Sequence, residues 1–164
     1  MATATKQIET RIDIPEKARE QVCATLNEQL ADMFDLFSQT KQAHWNVKGS
    51  DFYQLHKLFD KLAEELAENI DVVAERVTAL GGVAMGTVHM SAARSRLPEF
   101  PDRSVQSMAA VEVLAVRYAS LAETTRAAID TASERQDETT ANILQDISAE
   151  LDKDLWMLEA HLQK

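Results

Sequence analysis

The sequence predicts an all-α fold built from a few long helices. The chain of 164 residues contains only 4 Gly and 3 Pro, and 45% of its residues are hydrophobic. Few turn-forming residues, together with abundant Ala, Leu, Glu and Gln, are typical of long helices. The apolar residues recur at intervals of three and four positions, which is the spacing of one helix face. The length suits one domain with a packed core.

The helix boundaries follow from local signals. Asp13 and Glu16 have the spacing of a capping box, and Pro15 suits a first helical turn. Gly81-Gly82 is a strong signal for the end of the second helix. A polar run after residue 132 separates the last two helices. We predict four long helices with these approximate bounds: 15–48, 51–80, 104–133 and 137–161.

The connection between the second and third helices is long. It extends from Gly82 to about Arg103 and contains Pro98 and Pro101. Because the other two connections are short, this crossover has to run the length of the bundle, and we predict a short helix at 88–93 within it. Two helical hairpins joined by one long crossover form the ferritin-like four-helix bundle, which is the predicted fold.

Charge and chain organisation bear on nucleic-acid binding. We divide the chain into a flexible N-terminal tail, 1–15, and a bundle domain, 16–164. The net charge is −10, and such an acidic surface repels nucleic acid and attracts cations. The tail balances two basic against two acidic side chains. DNA is therefore a weakly supported partner.

The sequence also predicts a compartment. It contains no run of about 18 apolar residues, so we expect no transmembrane span and no membrane partner. The first residues, MATATKQIETRIDIPE, lack the apolar core of a signal peptide. A lone Cys23 excludes an intrachain disulfide and fits a reducing compartment. We predict a cytoplasmic protein and leave nucleoid association open.

Five side chains form a candidate metal site: His44, His56, Asp60, Asp71 and Glu75. The last four lie on the second helix as two i,i+4 pairs that point the same way. Eleven positions separate Asp60 from Asp71, which corresponds to about 16 Å along a helix. One metal cannot contact both pairs of one helix. If all four bind at one site, that site is shared by two antiparallel copies of the helix, so the spacing predicts a metal site and a two-fold oligomer.

The ligand chemistry narrows the choice of metal. Mixed nitrogen and oxygen ligands suit Fe(II) and also Zn(II). Taken singly, a helical Asp or Glu is more often a solvated surface residue, and a lone His is more often packed or exposed than a ligand. The Glu-x-x-His motif of di-iron sites inside one bundle is absent, since Glu precedes none of the four His by three positions. We therefore do not expect a di-iron site of that kind within one bundle.

A longer motif surrounds these residues. It comprises Lys41-Gln42-Ala43-His44-Trp45-Asn46, Gly49, His56, Asp60, Asp71-x-x-x-Glu75-Arg76, Leu80-Gly81-Gly82, Arg117-Tyr118 and Leu151-Asp152-Lys153. This pattern resembles the Dps family (DNA-binding protein from starved cells), the mini-ferritins of the ferritin-like superfamily. The resemblance covers nearly the whole chain except about the first 15 residues.

The resemblance implies a function. Dps proteins form hollow dodecamers whose ferroxidase sites lie at two-fold interfaces. Each site would take three ligands from one subunit and two from its mate: His44, His56 and Asp60, then Asp71 and Glu75. Trp45 would lie beside the site. Fe(II) would be oxidised there, preferably by hydrogen peroxide, ferric mineral would be stored in the cavity, and DNA would be protected from oxidative damage. Zn²⁺ is a competitor for the same ligands.

Two alternatives remain at this point. One is a structural, nucleoid-compacting DNA-binding protein with little ferroxidase activity, because twelve tails on one shell multiply weak phosphate contacts. The other is a shell whose metal centre is degenerate and which acts only as a scaffold. All five ligand positions are filled, which argues against it.

Other acidic residues have two interpretations each. Glu64 and Glu68 either nucleate mineral or are surface charges. Asp137 and Glu138 either line an iron-entry pore or cap the last helix, and capping is the better supported of the two. Asn142 occupies a position where a relative could carry a pore acid, which weakens the pore assignment.

Overall fold

The computed structural model describes residues 8–101 and 107–163. In that part of the chain five α-helices follow one another: α1 Glu16–Asn46, α2 Phe52–Ala79, α3 Val88–Ala92, α4 Ser107–Glu134 and α5 Glu138–Ala160. The predicted all-α bundle with a short helix in its crossover is confirmed. The predicted start of the third long helix at Ser104 lies outside the described residues.

The four long helices pack as two hairpins. α1 packs along α2 and α4 packs along α5, while α1–α4 contacts join the hairpins and α3 lies on α1. Long helices of this kind gain most of their stability from burying an apolar face rather than from intrinsic propensity. The largest fully buried side chains come from all four of them: Leu26, Met33, Phe59, Leu62, Leu114 and Tyr118 among them, with Leu144 and Leu158 from α5.

The start of α1 differs from the prediction. Pro15 is itself the N-cap, in an extended backbone conformation, and no side chain caps the helix. The predicted capping box of Asp13 with Glu16 is therefore wrong. The reason is that the cap is one residue before Glu16 rather than three, so Asp13 lies outside the helix with its side chain exposed.

The end of α2 is closed by a glycine. Gly81 has a φ of +84°, and a Cβ atom at this position would lie 2.4 Å from the carbonyl oxygen of Ile8. The Ile8 amide also donates a hydrogen bond of 2.8 Å to the Gly81 carbonyl. Only glycine combines this conformation with so close an approach of another backbone.

Residues 1–7 of the predicted tail lie outside the described residues, so its boundary at residue 15 stays a prediction.

The crossover is fastened to α1 by a buried carboxylate. Asp32 is fully buried and accepts hydrogen bonds from the backbone amide, Nε and Nη2 of Arg96, at 2.7, 2.9 and 2.7 Å. The two guanidinium bonds go to Oδ2 and the amide bond goes to Oδ1, and charge-assisted bonds of this kind are among the strongest in proteins. They hold the segment after α3 across the outer side of α1.

Candidate metal centre

The candidate centre lies where α1 ends and α2 begins. The tight connection through Gly49, whose φ is +119°, places the last turn of α1 beside the first turns of α2. This brings His44 next to His56, with ring centroids 3.8 Å apart and the ring planes inclined by 22°. Asp60 follows one turn after His56, and its Oδ1 lies 3.7 Å from His44 Nε2. Three of the five predicted ligands are thus close together in one chain.

Reciprocal hydrogen bonds orient the two imidazoles. His44 Nδ1 donates to the carbonyl oxygen of His56 at 2.8 Å, and His56 Nδ1 donates to the carbonyl oxygen of His44 at 2.9 Å. A carbonyl only accepts, so both Nδ1 atoms carry the proton. In the neutral ring the lone pair then lies on Nε2. A second hydrogen bond of this type is what orients histidine ligands in metal sites.

Lys41 forms an ion pair with Asp60. Its Nζ donates to Asp60 Oδ1 at 2.9 Å and lies 6.0 Å from the centroid of the Trp45 ring. The hydrogen bond from Lys41 lowers the pKa of Asp60, and the nearby His44 lowers it further. The carboxylate is therefore ionised and already paired with a positive charge.

The other two predicted ligands are elsewhere on the same helix. Asp71 and Glu75 lie on the exposed surface of the second half of α2. Within the described residues, no group of three or more His, Cys, Asp or Glu side chains from one chain is arranged to hold a metal. The five-ligand site therefore stays a prediction that needs a second copy of the chain.

Exposed aromatic side chains lie close in sequence to His44 and His56. Trp45 is 68% exposed and lies in an open groove with Phe34 and Val88, between α1 and the crossover. Phe52 and Tyr53, at the start of α2, are also exposed. A cluster of large exposed apolar side chains is typical of a surface that another molecule covers.

Lys41 is not among the site residues predicted from the sequence. It precedes His44 by three positions and therefore lies on the same face of α1. This spacing was a usable signal, but only the packing of α1 on α2 shows that its ammonium reaches Asp60.

Asp137 caps α5 rather than lining an opening. Its side chain accepts from the Thr140 amide at 3.0 Å and pairs with Arg76 Nη2 at 2.7 Å. Only 1% of the residue is exposed. The capping interpretation is confirmed for Asp137, while Glu138, Glu64 and Glu68 are exposed and keep both interpretations.

Comparison with known proteins places the chain in a family. The family model of the ferritin-like domain matches residues 23–164. The DNA protection during starvation protein of Agrobacterium fabrum is 40% identical over 97% of this chain and 98% of its own length. The chain belongs to the Dps family. The protein of the same name from Brevibacillus brevis is 36% identical over 87% of this chain and 95% of its own length.

Solved Dps structures have the same fold. DpsC from Streptomyces coelicolor superposes with a TM-score of 0.93 at 30% identity, covering 99% of this chain and 96% of that one. The Dps protein of Vibrio cholerae O1, described as a member of a broad superfamily of ferritin-like diiron-carboxylate proteins, superposes with a TM-score of 0.89 at 26% identity, over 99% of each chain. Among the described residues of this Dps-family chain, no helix is both long and apolar enough to cross a bilayer.

Proposed function

We propose that this Dps-family protein binds and oxidises Fe(II) and stores the ferric product, and thereby protects DNA. The observation that carries the proposal is the pair of imidazoles whose Nε2 atoms are kept available by reciprocal Nδ1 hydrogen bonds beside the Asp60 carboxylate. The description of the Vibrio cholerae relative as a diiron-carboxylate protein supports it. So do the names of the relatives that protect DNA during starvation.

The ligand set of each ferroxidase site comes from two subunits in this proposal. His44, His56 and Asp60 belong to one subunit, and Asp71 and Glu75 belong to the antiparallel α2 of its mate. Asp71 and Glu75 are exposed, and so are the aromatic side chains of Trp45, Phe52 and Tyr53. Both observations support a shared interface. Six such dimers, joined to one another through three-fold contacts, would form a hollow dodecamer with tetrahedral symmetry.

The proposed chemistry follows from the ligands. Carboxylates are hard ligands that stabilise Fe(III) over Fe(II) and so favour oxidation. Few protein ligands leave coordination positions open for the oxidant. Two Fe(II) ions at one interface would each give one electron to hydrogen peroxide, which takes up two protons and leaves as two water molecules. Because both electrons are delivered together, no hydroxyl radical is released.

The test is an oxidation assay with the assembled protein. Fe(II) is bound without oxygen, and Fe(III) formation is followed after addition of hydrogen peroxide to one sample and oxygen to another. We expect fast oxidation with peroxide and slow oxidation with oxygen, at about two Fe(II) per peroxide. Rates equal to those of buffer with both oxidants would contradict the proposal. Zn²⁺ added first should slow the reaction by occupying the same ligands.

Replacing Lys41 with Met should strengthen Fe(II) binding. The ammonium holds the carboxylate of Asp60, so an entering cation has to displace it. Methionine keeps an apolar stem of similar length and removes the charge. We expect anaerobic calorimetry with Fe(II) to show an affinity a few-fold higher than in the wild type. The exposed Lys57, changed to Met, is the matched control, and an unchanged affinity in the Lys41 variant would show that the ammonium does not compete with iron.

Protection of DNA is proposed to come from removal of Fe(II) and peroxide in the cytoplasm rather than from tight binding. The net charge of −10 opposes contact with phosphates. A gel shift at low salt without divalent cations, with the full chain and with a chain lacking residues 1–12, tests direct binding. A shift that disappears with the tail would favour the structural DNA-binding alternative.

A further inference from the structure

The interior of the bundle contains a polar cluster that the candidate metal centre does not use. It consists of Glu65 on α2, Tyr118 on α4 and Asp154 on α5. Tyr118 is fully buried, and only 2% of Asp154 is exposed. Burying a carboxyl group among apolar helices is costly unless it is neutral, paired or hydrogen-bonded. The sequence pattern alone does not predict this cluster, because its members belong to three helices far apart in the chain.

Each member of the cluster has a buried oxygen that finds no hydrogen-bond partner among the described residues. These atoms are Glu65 Oε2, the Tyr118 hydroxyl and Asp154 Oδ1. Most buried polar atoms in native proteins have a partner, so three such oxygens make this cluster an unfavourable place for two ionised carboxylates. Two ionised carboxylates only accept hydrogen bonds, and the phenol supplies a single donor. One further proton on a carboxyl group provides a second donor within the cluster.

The surrounding charges indicate which carboxyl group holds that proton. Facing Asp154 are Glu65 and Lys61 from α2, Tyr118 from α4, and Glu150 and Lys153 from its own helix. The α1 helix adds Thr40, which is uncharged and contacts Tyr118.

The ammonium of Lys61 favours the other carboxylate. Lys61 Nζ forms an ion pair with Glu65 Oε1 but stays 3.9 Å from Asp154 Oδ1, which is too long for a hydrogen bond. Glu150 is engaged by Asn69 at 2.7 Å. Asp154 is thus the most deeply buried and least compensated acid of the cluster. Burial, followed by the charge of Glu65, raises the pKa of Asp154 to about 7.

We propose that Glu65, Tyr118 and Asp154 form an interior proton-binding site, in which the buried carboxyl group of Asp154 holds a proton and releases it reversibly. The proton removes the charge of a buried carboxyl group that has no hydrogen-bond partner among the described residues. Its ionisation places a second negative charge beside Glu65, whose carboxylate already pairs with the ammonium of Lys61. The site therefore couples the α2–α5 packing to pH. A metal ion is the weaker occupant, because the ammonium already neutralises Glu65.

The sign of the pH effect follows from proton linkage. The folded state holds the Asp154 proton up to about pH 7, whereas the unfolded chain releases it near pH 4. The stabilising contribution is complete below the unfolded pKa and is lost as the pH rises through the folded pKa. An Asp154→Asn variant, neutral at every pH, should unfold a few degrees higher than the wild type above neutral pH. This difference should grow as the pH rises from about 4 to about 7 and then stay constant.

Infrared spectroscopy of the assembled protein tests the site directly. At about pH 6, exposed carboxyl groups are ionised, so a remaining C=O stretch of a protonated carboxylic acid reports a buried one. We expect this band in the wild type and in Asp152→Asn, an exposed control two positions away, and its loss in Asp154→Asn. The absence of the band from the wild type would overturn the proposal, as would parallel pH profiles of unfolding for Asp154→Asn and the wild type.

A second variant keeps the proposal testable if Asp154→Asn does not assemble. Glu65→Gln removes the nearest negative charge and leaves Lys61 available to Asp154. The infrared band should then disappear at a lower pH than in the wild type. An unchanged titration in Glu65→Gln would overturn the assignment of the proton to this cluster.

Discussion

Subunits carrying His56→Ala, mixed with subunits carrying Glu75→Ala, should recover peroxide-dependent Fe(II) oxidation that neither variant has alone. In a two-fold dimer of the two variants, one site combines both defects, and the other takes an intact His44–His56–Asp60 set and an intact Asp71–Glu75 pair. With random assembly from equal amounts, half of the dimers are mixed, so about a quarter of all sites are intact. The rate of Fe(III) formation per subunit measures this fraction.

The matched control for the mixing experiment uses two defects in the same set. His44→Ala mixed with His56→Ala leaves no site intact under the shared-site proposal, so activity should stay at the level of buffer. Recovery in the first mixture and not in the second would establish that ligands come from two subunits. A first mixture no more active than the mean of its two components would refute that arrangement.

Asp137→Ala should be the most destabilising single substitution among the polar residues of the helix ends. The change removes the cap from α5 and leaves the guanidinium of Arg76 without its carboxylate, and the Arg76 side chain is only 11% exposed. Breaking a buried ion pair by removing one partner costs about 3–5 kcal/mol, and loss of a cap costs about 1 kcal/mol. The two effects overlap, so we expect a loss of about 3–5 kcal/mol in the free energy of unfolding.

Denaturant unfolding at one fixed protein concentration measures this loss, because the stability of an oligomer depends on concentration. Asp51→Ala is the matched control, since Asp51 is the N-cap of α2 but makes no capping hydrogen bond through its side chain. Asp137→Asn keeps a capping oxygen and removes the charge, so its loss in the free energy of unfolding should lie between those of Asp51→Ala and Asp137→Ala. An Asp137→Ala variant within about 0.5 kcal/mol of the wild type would mean that Arg76 finds another partner.

The helical framework could be read from local patterns. Apolar periodicity, two glycines after residue 80 and two prolines in the crossover predicted the helices and their order, because each signal acts within a few residues. The predicted N-cap of α1 was wrong because the local pattern is compatible with more than one N-cap. Asp13 and Glu16 have capping-box spacing, yet Pro15 is the cap, since its restricted backbone sets where the helix begins.

The candidate site was predictable for the same reason. His56, Asp60, Asp71 and Glu75 lie on one helix, where sequence spacing converts directly into distance. His44 belongs to the preceding helix, and the structure brings it to His56 by the packing of α1 on α2. The assignment of Asp71 and Glu75 to a partner subunit remains a prediction, which the mixing experiment tests.

By itself, the sequence determined the helical class, the order and spacing of the elements and the acidic character of the chain, and it indicated a candidate ligand set. These properties depend on neighbours within a few turns or on composition. Only the tertiary structure decided which ring nitrogen of the two imidazoles faces a carbonyl, the Lys41–Asp60 pair, the burial of Asp137 beside Arg76 and the acidic cluster around Asp154. Each of these depends on side chains from different helices, whose separation is set by packing and not by spacing along the chain.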